Sequence, residues 1–317
     1  MKRILVFALL LLAACKPAAE YPESDRLAAI PEDAVKRTPA DDLYPPVLHS
    51  DEFEKPVPLT APVNTAGAED SAYSPVCEDD CDTQTFYVFF TPDVRIPVEK
   101  QVVDGVTGIY RTKLANGEWS TLERVWLQEP GKLSLDGCLY GTDEKLWFCT
   151  AREGLTGLHW FTADKNADGE WENFQAADFP DEYAVGELHI SHDGSTLYFH
   201  SSKEGGLGGY DVWVSAREGG RWVEPMNLAI VNSAENDGWP ALSQDESELW
   251  ITRWHDGSPA LFRSLKDEDG WGEPELMISQ FAGEATLDRD GNVYFTHHYY
   301  EDGEMIEADI FVARRKN

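Results

Sequence analysis

Tryptophan recurs in this chain at almost constant intervals. Gly-x-Trp stands at Gly117-Glu118-Trp119, Gly169-Glu170-Trp171 and Gly220-Arg221-Trp222, a shortened Gly270-Trp271 follows, and the four tryptophans are 52, 51 and 49 residues apart. Nine residues before three of them lies the aromatic of an earlier strand, Tyr110, Trp213 or Phe262. Trp160 holds that place in the other copy, two residues further back across a longer hairpin. Another strand repeats as Phe86-Tyr87-Val88, Leu146-Trp147-Phe148, Leu197-Tyr198-Phe199, Leu249-Trp250-Ile251 and Val293-Tyr294-Phe295. Five copies of a unit of about 40–50 residues, each with four short strands, predict an all-β fold, a five-bladed β-propeller of four-stranded antiparallel blades. The blades are expected at roughly 65–130, 131–180, 181–232, 233–280 and 281–317.

The clearest copy runs from residue 186 to 228. Apolar pairs (Leu188, Ile190; Leu197, Phe199; Val212, Val214) alternate with polar residues between the turn His192-Asp193-Gly194-Ser195 and the cluster Gly205, Gly206, Gly208, Gly209. That is the pattern of half-buried antiparallel strands joined by hairpins. Ser191 to Phe199 (Ser-x-Asp-Gly-x-x-Leu-Tyr-Phe), Gly209 to Val214 (Gly-x-Asp-Val-Trp-Val) and Gly220 to Pro225 (Gly-x-Trp-x-x-Pro) resemble the WD40-like repeat of TolB-type periplasmic propellers. The resemblance extends over roughly residues 53–317 and implies the fold and an exported compartment; it implies no reaction, because propellers serve many unrelated functions.

Phe53-Glu54-Lys55-Pro56-Val57-Pro58-Leu59 repeats Trp222-Val223-Glu224-Pro225-Met226-Asn227-Leu228 at a constant offset, and Val63-Asn64-Thr65 repeats Val231-Asn232-Ser233. This is the outer strand of a blade, standing before the first complete blade. The last blade ends at Ala308-Asp309-Ile310-Phe311-Val312 without a Gly-x-Trp strand of its own. The N-terminal strand is therefore expected to complete the last blade, residues 281–317 with 53–59, and to close the ring, which removes open sheet edges.

Residues 1–14 are expected to be a signal peptide, with Lys2 and Arg3 ahead of the apolar run Ile4–Leu12, and Leu12-Ala13-Ala14-Cys15 resembles a lipobox. Cleavage would leave a lipidated Cys15 and a protein held at the cell envelope by its acyl chains alone, facing the periplasm. Lys16 after the cysteine, by resemblance to lipoprotein sorting, favours the outer membrane over the inner. Residues 15–52, rich in Pro, Ala, Asp and Glu without a sustained period, are expected to be a disordered tether, with 53–317 forming the propeller.

Four cysteines remain, close in pairs, and an exported compartment permits the disulfides Cys77–Cys81 and Cys138–Cys149; the second pair flanks the turn Thr142–Lys145 symmetrically. A net charge of −32 excludes nucleic acid and anionic headgroups as electrostatically driven partners.

Two stretches point to chemistry. Asp164-Lys165-Asn166-Ala167-Asp168-Gly169 has the spacing of a calcium loop, with Glu172 as a further ligand, so Asp164, Asn166, Asp168 and Glu172 are candidate calcium ligands; Gln175 stands where a bidentate Glu belongs, and an ion-free Asx-rich hairpin is the alternative. The starts of the innermost strands carry acids, among them Asp70, Asp136, Glu187, Asp237 and Glu284, with His189 nearby. They either hydrogen-bond neighbouring backbone or form a ring in the central channel, as in arabinanase-type five-bladed glycosidases. His297-His298-Tyr299-Tyr300 is expected at an exposed hairpin tip, and the blade tryptophans in the core. The expected role is a non-enzymatic binding or scaffolding module for an envelope protein, such as a peptidoglycan-associated or outer-membrane protein. The alternative is a carbohydrate-binding or glycoside-hydrolase-like propeller using the channel acids.

Overall fold

The computed structural model describes residues 21–75, 83–142 and 144–316. Five antiparallel sheets, blades I to V in the chain order of their inner strands, stand in a ring, each running outward from an inner strand. The inner strands are Ala68–Tyr73, Ser134–Gly141, Leu188–Ile190, Asp237–Leu242 and Ala282–Leu287. The second strands, Thr83–Thr91, Lys145–Arg152, Thr196–Ser201, Glu248–His255 and Val293–Glu301, hold the repeated aromatic triplets. The third strands are Gly108–Ala115, His159–Lys165, Asp211–Glu218, Ser258–Asp267 and Glu304–Ala313. The expected five-bladed propeller is the observed fold.

The triplets face two ways, because side chains alternate along a strand and each sheet packs on both neighbours. Phe148 and Phe199, wholly buried, belong to one core cluster with Trp171 and Trp222 of the Gly-x-Trp strands. Trp119 meets Tyr294 of the last blade edge to face at 6.3 Å, and Trp271 meets Tyr198 of the third blade at 6.2 Å. The tryptophan period is thus the period of blade-to-blade packing.

The ring closes as its repeat pattern predicts. Val57–Pro58 pairs antiparallel with the last strand, Val57 opposite Val312 and Pro58 opposite Phe311, and Phe53 bridges to Arg315. The homology with blade III extends to individual bonds. Asn64 accepts from the Ile310 amide and donates to its carbonyl, while Asn232 does the same with Val212. Proline is tolerated at position 58 because this is an edge strand.

The segment ahead of the ring departs from expectation. From residue 21 it is not a disordered tether but lies packed along the propeller; residues 15–20 and the signal sequence fall outside the described residues. Arg26 is 6% exposed and donates to Glu69 and to the Val63 carbonyl. Lys36 reaches Glu307 and Asp309, and Asp42 meets Nε2 of the buried His297 at 2.9 Å. Val47–Leu48 adds an edge strand to blade IV. No periodic apolar face announces this segment because single charged residues, each inserted beside a buried polar or charged partner, hold it.

The Cys138–Cys149 disulfide is present, joining the inner and second strands of blade II. Cys77 and Cys81 lie outside the described residues. Reducing the Cys138–Cys149 bond is expected to lower stability by about 2–3 kcal/mol. Denaturant melts with and without reductant, at unchanged circular dichroism, check this. No helix among the described residues is long and apolar enough to cross a membrane.

Candidate functional site

Four inner strands are interrupted at corresponding places by a bulge, lying between Asp70 and Tyr73, Gly137 and Tyr140, Gly238 and Ala241, and Gly283 and Thr286. The first extra residue of each has left-handed backbone: Ser71 (φ 48°), Cys138 (φ 46°), Trp239 (φ 50°) and Glu284 (φ 56°). None is glycine, so each holds a conformation that costs free energy and persists only because the sheet enforces it. Bulges re-aim side chains. Here they bring Ser71, Trp239 and Glu284 together with Glu187 and His189 around one small cavity of about 50 Å³ in the central channel.

Three of the five sequence-predicted acids belong to this cluster. Ser71 donates its hydroxyl to Glu284, its amide donates to Asp70 at 2.8 Å, and the Trp239 indole donates to Glu187. Burial first, then the charge of Asp70, pushes the Glu187 carboxyl up to about 8 against the pull of the Trp239 bond. Burial followed by the charges of Asp70 and Glu187 raises Glu284 well above the carboxylate range. Like charges in one poorly solvated place cannot all ionise, so protons stay bound near neutral pH. His189 goes the other way, lowered by burial to about 3, and is therefore neutral. Its Nδ1 accepts from the Leu242 amide at 3.5 Å, which leaves the proton on Nε2.

A pH effect on stability follows from Glu187. Its folded value is raised, so its contribution is complete below the ordinary value of 4.5 and is lost as pH rises through about 8. Glu187→Gln is expected to melt higher than the parent at pH 9, by about 2–4 °C for each kcal/mol of charge burial relieved, and to flatten the decline between about pH 5 and 8. Thermal melts across that range decide it; an unchanged slope would mean that Glu187 ionises freely.

Asp136 and Asp237 are not part of the cluster; of the two roles expected for the inner-strand acids they take the structural one, held by hydrogen bonds and an arginine. Asp136 accepts from Ser134 and Thr150 and stands 3.7 Å from Arg152. Asp237 accepts from the Ser233 amide and hydroxyl and from Arg253. Both are fully buried, each with a guanidinium beside it. The start of an inner strand therefore hosts two kinds of acid, and only the unpaired kind faces the channel.

Beyond Trp239 and Glu284 the channel opens into a cavity of about 340 Å³, with Tyr210, Trp239, Trp254 and Tyr300 on its walls and His298 beside Glu284. His200 braces two of these rings, 4.7 Å from Trp239 and 5.6 Å from Tyr210. It is pressed between Gly186 and Gly238, where a Cβ would stand 2.2 Å from Nε2 and 3.1 Å from Cβ. Sequence reasoning missed all of these walls. The His297–Tyr300 run is no exposed tip: His297 is fully buried, and His298 and Tyr300 line the channel mouth or its approach. The glycine-rich run 205–209 also has a use, since Leu207 and Gly208 amides bind Asp211 and the turn delivers Tyr210 to the wall. The Trp-Pro pair at 239–240 was the available signal, since proline after an aromatic inside a strand marks a bulge.

Of the two readings of residues 164–169, the geometry fits the ion-free Asx-rich hairpin. Asp164 lies at a strand position opposite Glu172 and pairs with Lys145 at 3.3 Å, while Asn166 Oδ1 accepts from the amides of Asp168 and Glu170. The carbonyl that would bind an ion instead caps the hairpin. Among the described residues no three His, Cys, Asp or Glu side chains are grouped to hold a metal.

No protein-family profile matches the chain, and no curated protein matches it. Solved structures do. A thermostable family-43 glycoside hydrolase superposes with TM-score 0.48 at 13% identity, over 81% of this chain and 96% of that one. An endo-arabinase from Bacteroides thetaiotaomicron gives 0.45 at 14% identity, over 78% and 94%. TolB from Acinetobacter baumannii gives 0.37 at 14% identity, over 75% and 65%. These are likenesses of architecture, and the reading of the site rests on its own residues.

Proposed function

We propose that this propeller is a carbohydrate-active protein of the cell envelope, binding a glycoside in its channel and cleaving it by acid–base chemistry at Asp70, Glu187 and Glu284. One observation moves the reading from a protein scaffold to this alternative. The buried acids Glu69, Asp136 and Asp237 each have an arginine beside them, whereas Glu187 and Glu284, with Asp70 close enough to act on both, stand at a cavity whose described lining includes no Lys or Arg. A cluster that shares protons next to an aromatic-walled cavity suits a sugar ring, stacked by one face and protonated at its leaving oxygen. In this scheme Glu284 or Glu187 donates the proton, the glycosidic C–O bond breaks, and Asp70 receives the proton of the attacking water. Anchoring rests on the residues Leu12-Ala13-Ala14-Cys15 and is part of the proposal.

The test is release of reducing ends from a panel of polysaccharides and aryl glycosides by the full-length chain, with Asp70→Asn as the matched control. Turnover present in the parent and lost in Asp70→Asn supports the reading; no saccharide cleaved or bound by the parent ends it. Incorporation of labelled palmitate by the parent but not by Cys15→Ala tests the anchor separately.

A further inference from the structure

The channel is distinctive in gathering several acids with no cation among them. Most other buried acids have a cationic partner: Glu69 with Arg26, Asp136 with Arg152, Asp237 with Arg253, Glu307 and Asp309 with Lys36, Glu248 with Arg263 and Arg315. Asp211 and Asp288, held by amide and hydroxyl donors alone, are each buried singly. Asp70, Glu187 and Glu284 have hydroxyl, amide and indole donors, and neither the inner nor the outer cavity is lined by Lys or Arg. Desolvated carboxyls gathered without countercharge are costly unless something brings that charge.

A second observation comes from His189. Its ring is only 8% exposed and lines the inner cavity, yet Nε2 has no hydrogen-bond partner. With Nδ1 engaged by the Leu242 amide, Nε2 is a buried donor without an acceptor. The site thus offers one donor, three carboxyls and, through Trp239, an aromatic face that attracts cations and the C–H face of a sugar alike.

We infer that the ligand is an amino sugar, a glycoside carrying a free ammonium group, whose ring lies in the outer cavity against Trp239 and whose ammonium group enters the small inner cavity beside Glu284 and Glu187, with an adjoining hydroxyl accepting from His189 Nε2. This rests on the saccharide reading and narrows it. An N-acetylated or neutral sugar of the same shape brings no charge to the carboxyls and binds only by displacing their protons' hydrogen bonds. The outer cavity receives that ring, and the exposed Trp254 at its rim meets the next ring of an oligomer.

Calorimetric titration of the full-length chain with a glucosamine trisaccharide, its fully N-acetylated counterpart, a neutral glucose trisaccharide and choline tests this. The glucosamine trisaccharide is expected to bind at least about tenfold more tightly than the other two sugars. Trp239→Ala and Glu284→Gln should each weaken it by a similar factor. Because Trp239 also supports the bulge, Trp254→Ala on the exposed rim provides an independent check, weakening the trisaccharide more than monomeric glucosamine. Equal affinity for acetylated or neutral trisaccharide overturns the amino-sugar assignment and leaves the saccharide reading standing. Binding of choline with none of the sugars overturns both, as does no binding at all.

Discussion

Glu284→Gln is expected to reduce glycoside turnover by about 10²–10⁴-fold, the usual contribution of a positioned proton donor or acceptor. The amide keeps the shape and can still accept from the Ser71 hydroxyl, so the fold should persist and the melting temperature at neutral pH should not fall. The loss of turnover exceeds the roughly tenfold loss of affinity expected from the missing charge, because the lost group also acts on the transition state. The pH profile adds a second readout. With Glu284 neutralised, Glu187 loses a neighbour with which it competes for protons, and the alkaline limb should shift. A variant that turns over at the parental rate would remove Glu284 from the chemistry and leave the cluster a binding site only.

The second large effect is structural. Arg253 is held by Asp237 and by the Val231 carbonyl at 2.7 Å, and its guanidinium lies 4.6 Å from the Phe262 ring centre. Arg253→Met keeps the apolar stem and leaves Asp237, wholly buried, without a countercharge. The expected loss is about 3–5 kcal/mol, the cost of stranding one member of a buried pair. Asp237→Asn in the same chain should recover a large part of that loss, since the stranded charge is what destabilises. Denaturant melts of the four members of the cycle give the coupling directly. Additive losses would show that the pair contributes as two separate hydrogen-bonding groups.

Blade number and closure were legible in the chain because they depend on features that repeat. Trp119, Trp171, Trp222 and Trp271 serve the same interface in successive blades, and Phe53 to Leu59 repeats Trp222 to Leu228 because both are outer strands. The site was only partly legible because it is made of what does not repeat. The inner-strand acids look alike in sequence, and what separates Asp237 from Asp70 is an arginine on the next strand, a fact of pairing across the sheet. Ser71, Trp239 and Glu284 enter the channel through left-handed bulges whose extra residue is not itself glycine. The segment 21–52 was misjudged for a related reason. Its composition carries no apolar stripe, and its binding is done by Arg26, Lys36 and Asp42, three residues among many of their kind.

The closure of the ring also sets an order of events in biosynthesis. Val57–Pro58 leaves the ribosome among the first parts of the propeller, and its partner in Glu304–Ala313 leaves last. The contact is among the most distant in sequence in the fold, and such contacts form late and slowly. Until then blade V lacks its outer strand and blade I its neighbour, so every nascent chain passes through a crescent with exposed sheet edges. A ribosome that stalls inside the last blade releases a crescent that can never seal. Quality control on this protein therefore has a simple cue, because a chain with free edges is one whose final ten-residue strand has not been made or has not docked.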